Sequence, residues 1–302
     1  MRIFLTGATG FIGSQLVHEL TQAGHHVLGL TRSEAGAQQL RTAGAEAYHG
    51  DIEDLPGLQR AAAQADAVIH TAFDHNFATF EANCQKDRRV ILALGEALHG
   101  SDRPLLITSG TAMGCAAPGQ PAIEDHFDSH HPNPRVASEL AGEELLQRGI
   151  NLGVLRLSQI HNPLKQGLVT YAIAHAKQKG LSAYIGDGQN RWSAAPLSDT
   201  AHLYRLALEK NQPGARYHAT AEEGIPYRAI AESIGQGLGL PVVGLNEAEA
   251  AEHFGWLTAF VGKDMSASAA KTRERLGWKP TGSGLLADVA VGVEWEEGSN
   301  RS

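Results

Sequence analysis

Read as a pattern of apolar and polar positions, the first half of the chain alternates two textures. Short runs rich in Ile, Val and Leu are each followed by a helix-length stretch in which apolar residues recur every three or four positions. The runs predict strands over 2–6, 26–31, 45–49, 67–71, 105–109 and 152–157. The periodic stretches predict helices over 11–23, 34–42, 56–64, 79–98 and 135–148. Strands that read as nearly continuous apolar runs are buried on both faces. Alternation of strand and helix at this spacing is the mark of parallel strands joined by helical crossovers. The predicted fold class is α/β, a doubly wound parallel sheet.

Beyond about residue 160 the rhythm loosens. Helices are predicted over 168–179, 200–209, 227–238, 247–253 and 267–276, with short strands over 182–185, 216–219 and 242–244. A Pro/Gly-rich stretch over 280–284 precedes a last short helix, and 296–302 reads as a polar, frayed tail. The expected division is a sheet-forming domain over 1–160 and a smaller mixed, mostly helical lobe over 161–302, with segments that return to the sheet.

Composition narrows the class without naming a chemistry. A chain of 302 residues is long enough to bury a core without staples. Its 42% hydrophobic and 19% charged residues are those of an ordinary globular protein. Lys plus Arg total 25 against 33 Asp plus Glu, a net charge of −8. That surface repels phosphate backbones and anionic membranes, so neither nucleic acid nor membrane is an expected partner. No run approaches the roughly 18 apolar residues of a membrane span. The two cysteines, Cys84 and Cys115, make neither a disulfide framework nor a paired metal-ligand spacing. The start Met-Arg-Ile-Phe-Leu reaches Gly7 at once, leaving no secretory apolar region. The expectation is a cytoplasmic protein acting on a small-molecule substrate.

The candidate chemistry begins at residues 7–13, Gly-Ala-Thr-Gly-Phe-Ile-Gly, between the strand over 2–6 and the helix after it. Gly7 suits the tight turn, Gly10 leaves room for a pyrophosphate against the backbone, and Gly13 lets helix and strand pack closely. Thr9, Phe11 and Ile12 complete the loop, and the helix N-terminus faces the phosphates. This makes the first domain Rossmann-type. Dinucleotide choice is set at the end of the second strand, where a carboxylate would accept from the ribose 2′-hydroxyl of NAD. Here that strand ends Thr31-Arg32-Ser33. Donors without a carboxylate favour a 2′-phosphate, hence NADP(H) over NAD(H). Asp51 and Ile52, after the third strand, suit the adenine edge, and Asp51 suits a helix cap equally.

With these residues the chain resembles the extended short-chain dehydrogenase/reductases, the NAD-dependent epimerase/dehydratase-like group. Its marks are the loop Thr6-Gly-Ala-Thr-Gly-Phe-Ile-Gly13, Gly50-Asp51-Ile52, His70-Thr71-Ala72 and Ser109-Gly110-Thr111-Ala112-Met113-Gly114. Arg156, Ser198-Asp199-Thr200-Ala201 and Arg275-Leu276-Gly277-Trp278-Lys279-Pro280 add to them. The resemblance implies a Rossmann domain that binds the dinucleotide, with Thr71, Ala72, Leu157 and Ser158 among its contacts, and a C-terminal lobe that binds substrate. It implies Ser109 as the residue that hydrogen-bonds a substrate oxygen. A homodimer through the helices after the fourth and fifth strands is an expectation by analogy.

One departure stands out. The family's catalytic pair is a Tyr followed four residues later by a Lys, where the Lys lowers the Tyr pKa. In the matching stretch, Pro134-Arg135-Val136-Ala137-Ser138-Glu139-Leu140, Arg135 takes the Tyr place and Glu139 the Lys place. An Arg holds its proton at neutral pH and is no general acid. The spacing i, i+4 suits a pairing of Arg135 with Glu139 on the helix. The remaining candidates for chemistry are Ser109, Thr111 and His161, the last a titrating group at physiological pH. Candidate substrate contacts are Asp74 beside His75, Met113, Arg135, Asn162 and Trp192. The run Glu124-Asp125-His126-Phe127-Asp128-Ser129-His130-His131 carries ligand types, yet nothing fixes their geometry, and no metal is assigned. Two functions fit: an NAD(P)-binding oxidoreductase on a small carbonyl or alcohol with a non-standard proton donor, or a catalytically silent dinucleotide-binding sensor or regulator.

Overall fold

A computed structural model describes residues 1–299. The first half runs β1 (Arg2–Thr6), α1 (Phe11–Gln22), β2 (His26–Thr31), α2 (Glu34–Thr42), β3 (Glu46–His49), α3 (Leu55–Ala63), β4 (Ala67–His70), α4 (Phe80–Glu96), β5 (Leu105–Gly110), α5 (Val136–Gln147) and β6 (Leu152–Leu157). The second half adds β7 (Gln159–Asn162), β8 (Lys165–Gln166), α6 (Val169–Lys179), β9 (Ser182–Ile185), β10 (Arg191–Pro196), α7 (Leu197–Lys210), β11 (Arg216–Ala219) and β12 (Glu222–Pro226). It closes with α8 (Tyr227–Leu238), β13 (Val242–Leu245), α9 (Glu247–Phe254), α10 (Thr258–Val261), α11 (Ala270–Leu276) and α12 (Leu285–Ser299).

Seven parallel strands form the main sheet in the order β11-β6-β5-β4-β1-β2-β3. The fold is thus the Rossmann-like α/β architecture that the alternation predicts. Strand pleating sorts neighbouring residues to opposite faces. Ile3 and Leu5 pack with Leu16 and Val17 of α1 and with Leu203, Tyr204 and Ala207 of α7. Phe4 points the other way, into a core with Val90, Ile91 and Leu94 of α4 and Leu145 of α5. The chain order reverses between β1 and β4, the switch point outside whose carboxyl ends ligands bind in such sheets.

The second lobe holds a four-stranded mixed sheet, β12-β10-β7-β8, and the pair β13-β9. Its core gathers Trp192, Tyr227, Ile230, Phe254 and Leu257. β11 returns to the main sheet, paired with β6. Asp199 at the start of α7 ties down the C-terminal segment: its carboxylate accepts from Thr281 N (3.1 Å) and Gly282 N (2.8 Å), and Trp278 Nε1 donates to its carbonyl at 3.0 Å.

Every predicted element is present, with ends shifted by up to three residues. Four strands were not predicted. β10 reads Arg-Trp-Ser-Ala-Ala-Pro, β12 contains Gly and Pro, and β7 and β8 are four and two residues long; none carries a β-branched alternation. The last helix is 15 residues long rather than short, so 296–299 are helical. The rest of the expected frayed tail, 300–302, lies outside the described residues.

Candidate active site

The turn after β1 is folded tightly on itself on one side and open on the other. Gly7 sits at φ +70°, and a Cβ there would lie 2.7 Å from Ala72 N and Thr71 Oγ1. A Cβ on Gly13 would stand 1.9 Å from the Gly7 carbonyl oxygen, so α1 packs against the turn only because residue 13 has no side chain. Gly10 is different. It is the N-cap of α1 with no side-chain cap, and a Cβ there meets only Gly7 O, at 3.2 Å. The first-turn amides, including those of Phe11, Ile12 and Gly13, therefore have no capping side chain, the arrangement that receives an anion. Thr71 Oγ1 donates to Thr6 O at 2.8 Å and Ala72 N to Thr6 Oγ1 at 3.3 Å, which docks the end of β4 on the loop. Thr9 borders Gly36 of α2.

At the end of β2 stands a cation rather than a carboxylate. The Arg32 side chain is 79% exposed, with one long contact, 3.9 Å, to Asp51 Oδ2. Thr31 Oγ1 braces the turn by bonding Ser33 O at 3.3 Å, while Ser33 Oγ caps α2 by accepting from Gly36 N at 3.1 Å. The Ser33 hydroxyl hydrogen remains available to an acceptor. Asp51 accepts from Glu53 N at 2.8 Å, and the cap of α3 is Asp54, not Asp51. Ile52 packs on the core beneath.

At the corner where α5 starts stand Arg135, its N-cap residue, and Glu139 in its first turn. Arg135 and Glu139 do not pair, contrary to their i, i+4 spacing. Each has a stronger partner from a distant element. Arg135 Nη1 donates to Asp87 Oδ2 at 2.6 Å and to Ser138 Oγ at 2.8 Å, Nη2 donates to Thr108 O at 2.9 Å, and the guanidinium lies 3.9 Å over the Phe73 ring. Asp87 also accepts from Ser138 Oγ at 2.6 Å and meets His70 Nε2 at 2.9 Å; His70 Nδ1 meets Thr6 Oγ1 at 2.7 Å. A Thr6 hydroxyl that donates to Nδ1, with Nε2–H donating to Asp87, closes this chain from the glycine turn to Arg135. Burial opposes the Asp87 charge, but Arg135, His70 and Ser138 outweigh it and hold its carboxyl at about 2.

Glu139 turns to the other side. It is fully buried, and Arg156 of β6 grips it with Nε to Oε1 at 2.7 Å and Nη2 to Oε2 at 2.8 Å. Arg216 Nε adds a third bond at 3.0 Å. Against the opposing effect of burial, these cations hold the carboxyl below its usual range. Ser109 shares the end of β5 with this cluster, in register with Arg156. Its Oγ is enclosed without a hydrogen-bond partner of normal geometry, yet lies close enough to Glu139 to help keep that carboxylate charged. Arg156 Nη1 approaches His218 Nε2 at 3.3 Å; burial and that neighbouring charge push the His218 pKa down to about 4.

The other candidates are dispersed. His161 is sealed from solvent, with Nδ1 2.7 Å from Asp288 Oδ2 and Nε2 unpartnered among the described residues. Thr111 and Met113 are buried in the single turn Thr111–Gly114. Trp192 is fully buried in the second lobe's core, edge-on to Tyr227. Asn162 shapes the β7–β8 turn by accepting from Leu164 N and Lys165 N, both at 2.9 Å. Asp74 caps its own turn and lies 3.7 Å from Lys86. Leu157 packs against the core, and Ser158 Oγ donates to Ala219 O. In the 124–131 run, Glu124 accepts from Thr272 N and Oγ1 at 2.7 and 2.8 Å, and Asp125 pairs with Arg275 and Lys271.

Sequence reasoning missed Asp87, His70 as a linking residue, Phe73 and Lys165. Asp87 lies mid-helix among Lys86, Arg88 and Arg89, where nothing local separates it from a solvated charge. Lys165 Nζ lies 5.4 Å from the Phe11 ring, which brings β8 of the second lobe to the glycine loop.

A Rossmann-like parallel sheet with a glycine loop at its switch point defines the class. Residues 3–220 match the NAD dependent epimerase/dehydratase family, and the chain belongs to it. This is a family of nucleotide-binding oxidoreductases and epimerases that use NAD(P). An uncharacterized protein of Schizosaccharomyces pombe is 46% identical over 96% of this chain and 98% of its own length. An uncharacterized protein of Saccharomyces cerevisiae is 39% identical over 96% and 98%. Among solved structures, a dTDP-glucose 4,6-dehydratase of Streptomyces venezuelae, with NAD and TYD bound, superposes with a TM-score of 0.79 at 18% identity, covering 100% of this chain and 98% of that one. No described helix is long and apolar enough to cross a membrane.

Proposed function

We propose that the protein is an NADPH-preferring oxidoreductase that acts on a small carbonyl or alcohol in the cytoplasm. The observation that carries this is the loop of Gly7, Gly10 and Gly13, closed on the side of Gly7 and uncapped at Gly10. Its amides would hold the pyrophosphate, Thr71 and Ala72 would wall the nicotinamide end, and Arg32 with the Ser33 hydroxyl would take a 2′-phosphate. The bound dinucleotide supplies the hydride.

The chain's own residues then have a defined task. Ser109 Oγ, the unpartnered hydroxyl at the end of β5, would polarise a carbonyl oxygen and stabilise the alkoxide that follows. No side chain placed at the corner is a good proton donor at neutral pH. Arg135 keeps its proton, Asp87 and Glu139 are held ionised, and His161 is sealed against Asp288. Water therefore protonates the alkoxide. Absence of a positioned general acid lowers the rate by ~10²–10⁴-fold, so turnover is slow beside relatives that keep the Tyr and Lys.

Titration calorimetry with NADPH and NADH tests the cofactor assignment. The expected result is NADPH binding at least tenfold tighter, about 1.4 kcal/mol, with the difference abolished by Arg32→Ala. Equal affinities in the wild type would overturn it. The tied-down Arg135 and Glu139 favour a second reading, a dinucleotide sensor without turnover. Steady NADPH oxidation with any member of a carbonyl panel decides against that reading. A homodimer through α4 and α5 is part of the proposal and is checked by sedimentation.

A further inference from the structure

Arg135 makes three hydrogen bonds, and they use three of its five N–H groups. Nη1 gives both hydrogens to Asp87 and Ser138, and Nη2 gives one to Thr108 O. The Nε hydrogen and the second hydrogen of Nη2 have no acceptor among the described residues. Nε and Nη2 share one edge of the planar guanidinium, the edge that takes a carboxylate with two parallel bonds. The side chain is 13% exposed, so the group is anchored but not sealed.

A second cation borders the glycine loop. Lys165 lies against Phe11 of the glycine loop and makes no ion pair among the described residues. His75 reports both charges: partial desolvation, then Arg135 and Lys165, lower its pKa. Asp87 matches the Arg135 charge, so what Arg135 offers a ligand is its unused donors, and the unpaired charge is that of Lys165, since Asp74 leans towards Lys86.

From Arg135 an aromatic string leads away. Phe73 lies under the guanidinium at 3.9 Å, Phe80 stands 5.9 Å from Phe73, and Phe77 stacks on Phe80 at 5.6 Å. Phe77 then stacks on Trp256 across the lobes at 4.4 Å, and Tyr171 meets Trp256 edge-on at 5.1 Å. Trp256 is 41% exposed, an unusual state for so large an apolar ring.

We infer that the substrate is a carboxylate-bearing carbonyl compound with an apolar body. Its carboxylate meets the free edge of Arg135 within reach of the Lys165 charge, and its body lies on the string from Phe73 to Trp256. The inference rests on the proposed oxidoreductase reading. It gives the residue in the Tyr place a specificity role that a Tyr would not serve.

The test uses benzoylformate and its methyl ester, which share the aromatic carbonyl and differ in the charge. Binding of each is measured on NADP⁺-saturated protein by ligand-observed NMR. The wild type is expected to bind the acid at least tenfold more tightly than the ester. Lys165→Gln is expected to narrow that ratio and Arg135→Gln to abolish it. If Arg135→Gln does not fold, the wild-type ratio and Lys165→Gln still decide. Equal binding of acid and ester by the wild type overturns the inference, as does a ratio untouched by either cation variant. NADP⁺ binding is measured on the same samples: its absence would sink the oxidoreductase reading, whereas its presence with no acid preference would sink this inference alone.

Discussion

The glycine loop and the Arg135–Glu139 corner are linked through Thr6, His70 and Asp87 and are built in opposite ways. The loop is a backbone object. Its positions 7 and 13 exclude any side chain, and its open side has no protein partner. The corner is a side-chain object, in which buried ions from α4, α5, β6 and β11 satisfy one another. The loop is docked on the end of β4 through Thr6, Thr71 and Ala72, and it leaves donors free for a ligand. The corner is stable only because its partners arrive from 17 to 77 residues away. Arg135 and Glu139 have each become part of the packing.

Removing a corner ion should have the largest effect. Glu139→Ala leaves Arg156 buried without its bidentate partner, and breaking a buried pair typically costs about 3–5 kcal/mol. The urea midpoint should fall accordingly; a shift under about 1 kcal/mol would mean that Arg216, Arg156 and solvent rearrange freely. Acid comes next. His218 is held at about 4 against an ordinary 6.5, and Asp87 at about 2 against 3.8. Both are depressed in the folded protein. The His218 contribution is complete above about pH 6.5 and disappears as pH falls towards 4, and that of Asp87 follows below 3.8. Some 2–3 kcal/mol should be lost between pH 7 and 4.5, of which His218 is the main source. His218→Asn should flatten that slope in urea titrations, and an unchanged slope would contradict the assignment. A smaller change is local. With Arg135→Gln, Asp87 loses its main counter-charge, and its carboxyl should titrate about one unit or more higher by carbon NMR, worth about 1.4 kcal/mol.

The same contrast explains what could be read from the chain alone. The loop was legible because Gly7, Gly10 and Gly13 act through spacing between a strand and a helix. The parallel sheet was legible because both faces of its strands are apolar. The corner was half legible: the missing Tyr and Lys are plain, but the fate of their replacements is not. An i, i+4 rule pairs Arg135 with Glu139, yet burial hands them to Asp87 and Arg156, which no local pattern connects to them. Trp192 reads equally as pocket wall or core, and only the packing of β10 against α8 places it beside Tyr227. The string from Phe73 to Trp256 joins residues from both lobes and has no signature in sequence.

Gly10→Ala separates the two regions most directly. Its Cβ meets a single atom, Gly7 O at 3.2 Å, closer than ordinary contact, while φ stays at an ordinary −81°, so the turn must give by a few tenths of an ångström and the fold should lose about 1 kcal/mol. The methyl group would nevertheless stand where the phosphates must approach the backbone. Calorimetry with NADPH, beside a thermal melt, should show a cooperative melt lowered by a few degrees at most and binding weakened at least tenfold. Wild-type affinity in a normally folded Gly10→Ala protein would contradict the claim that this loop is the dinucleotide site.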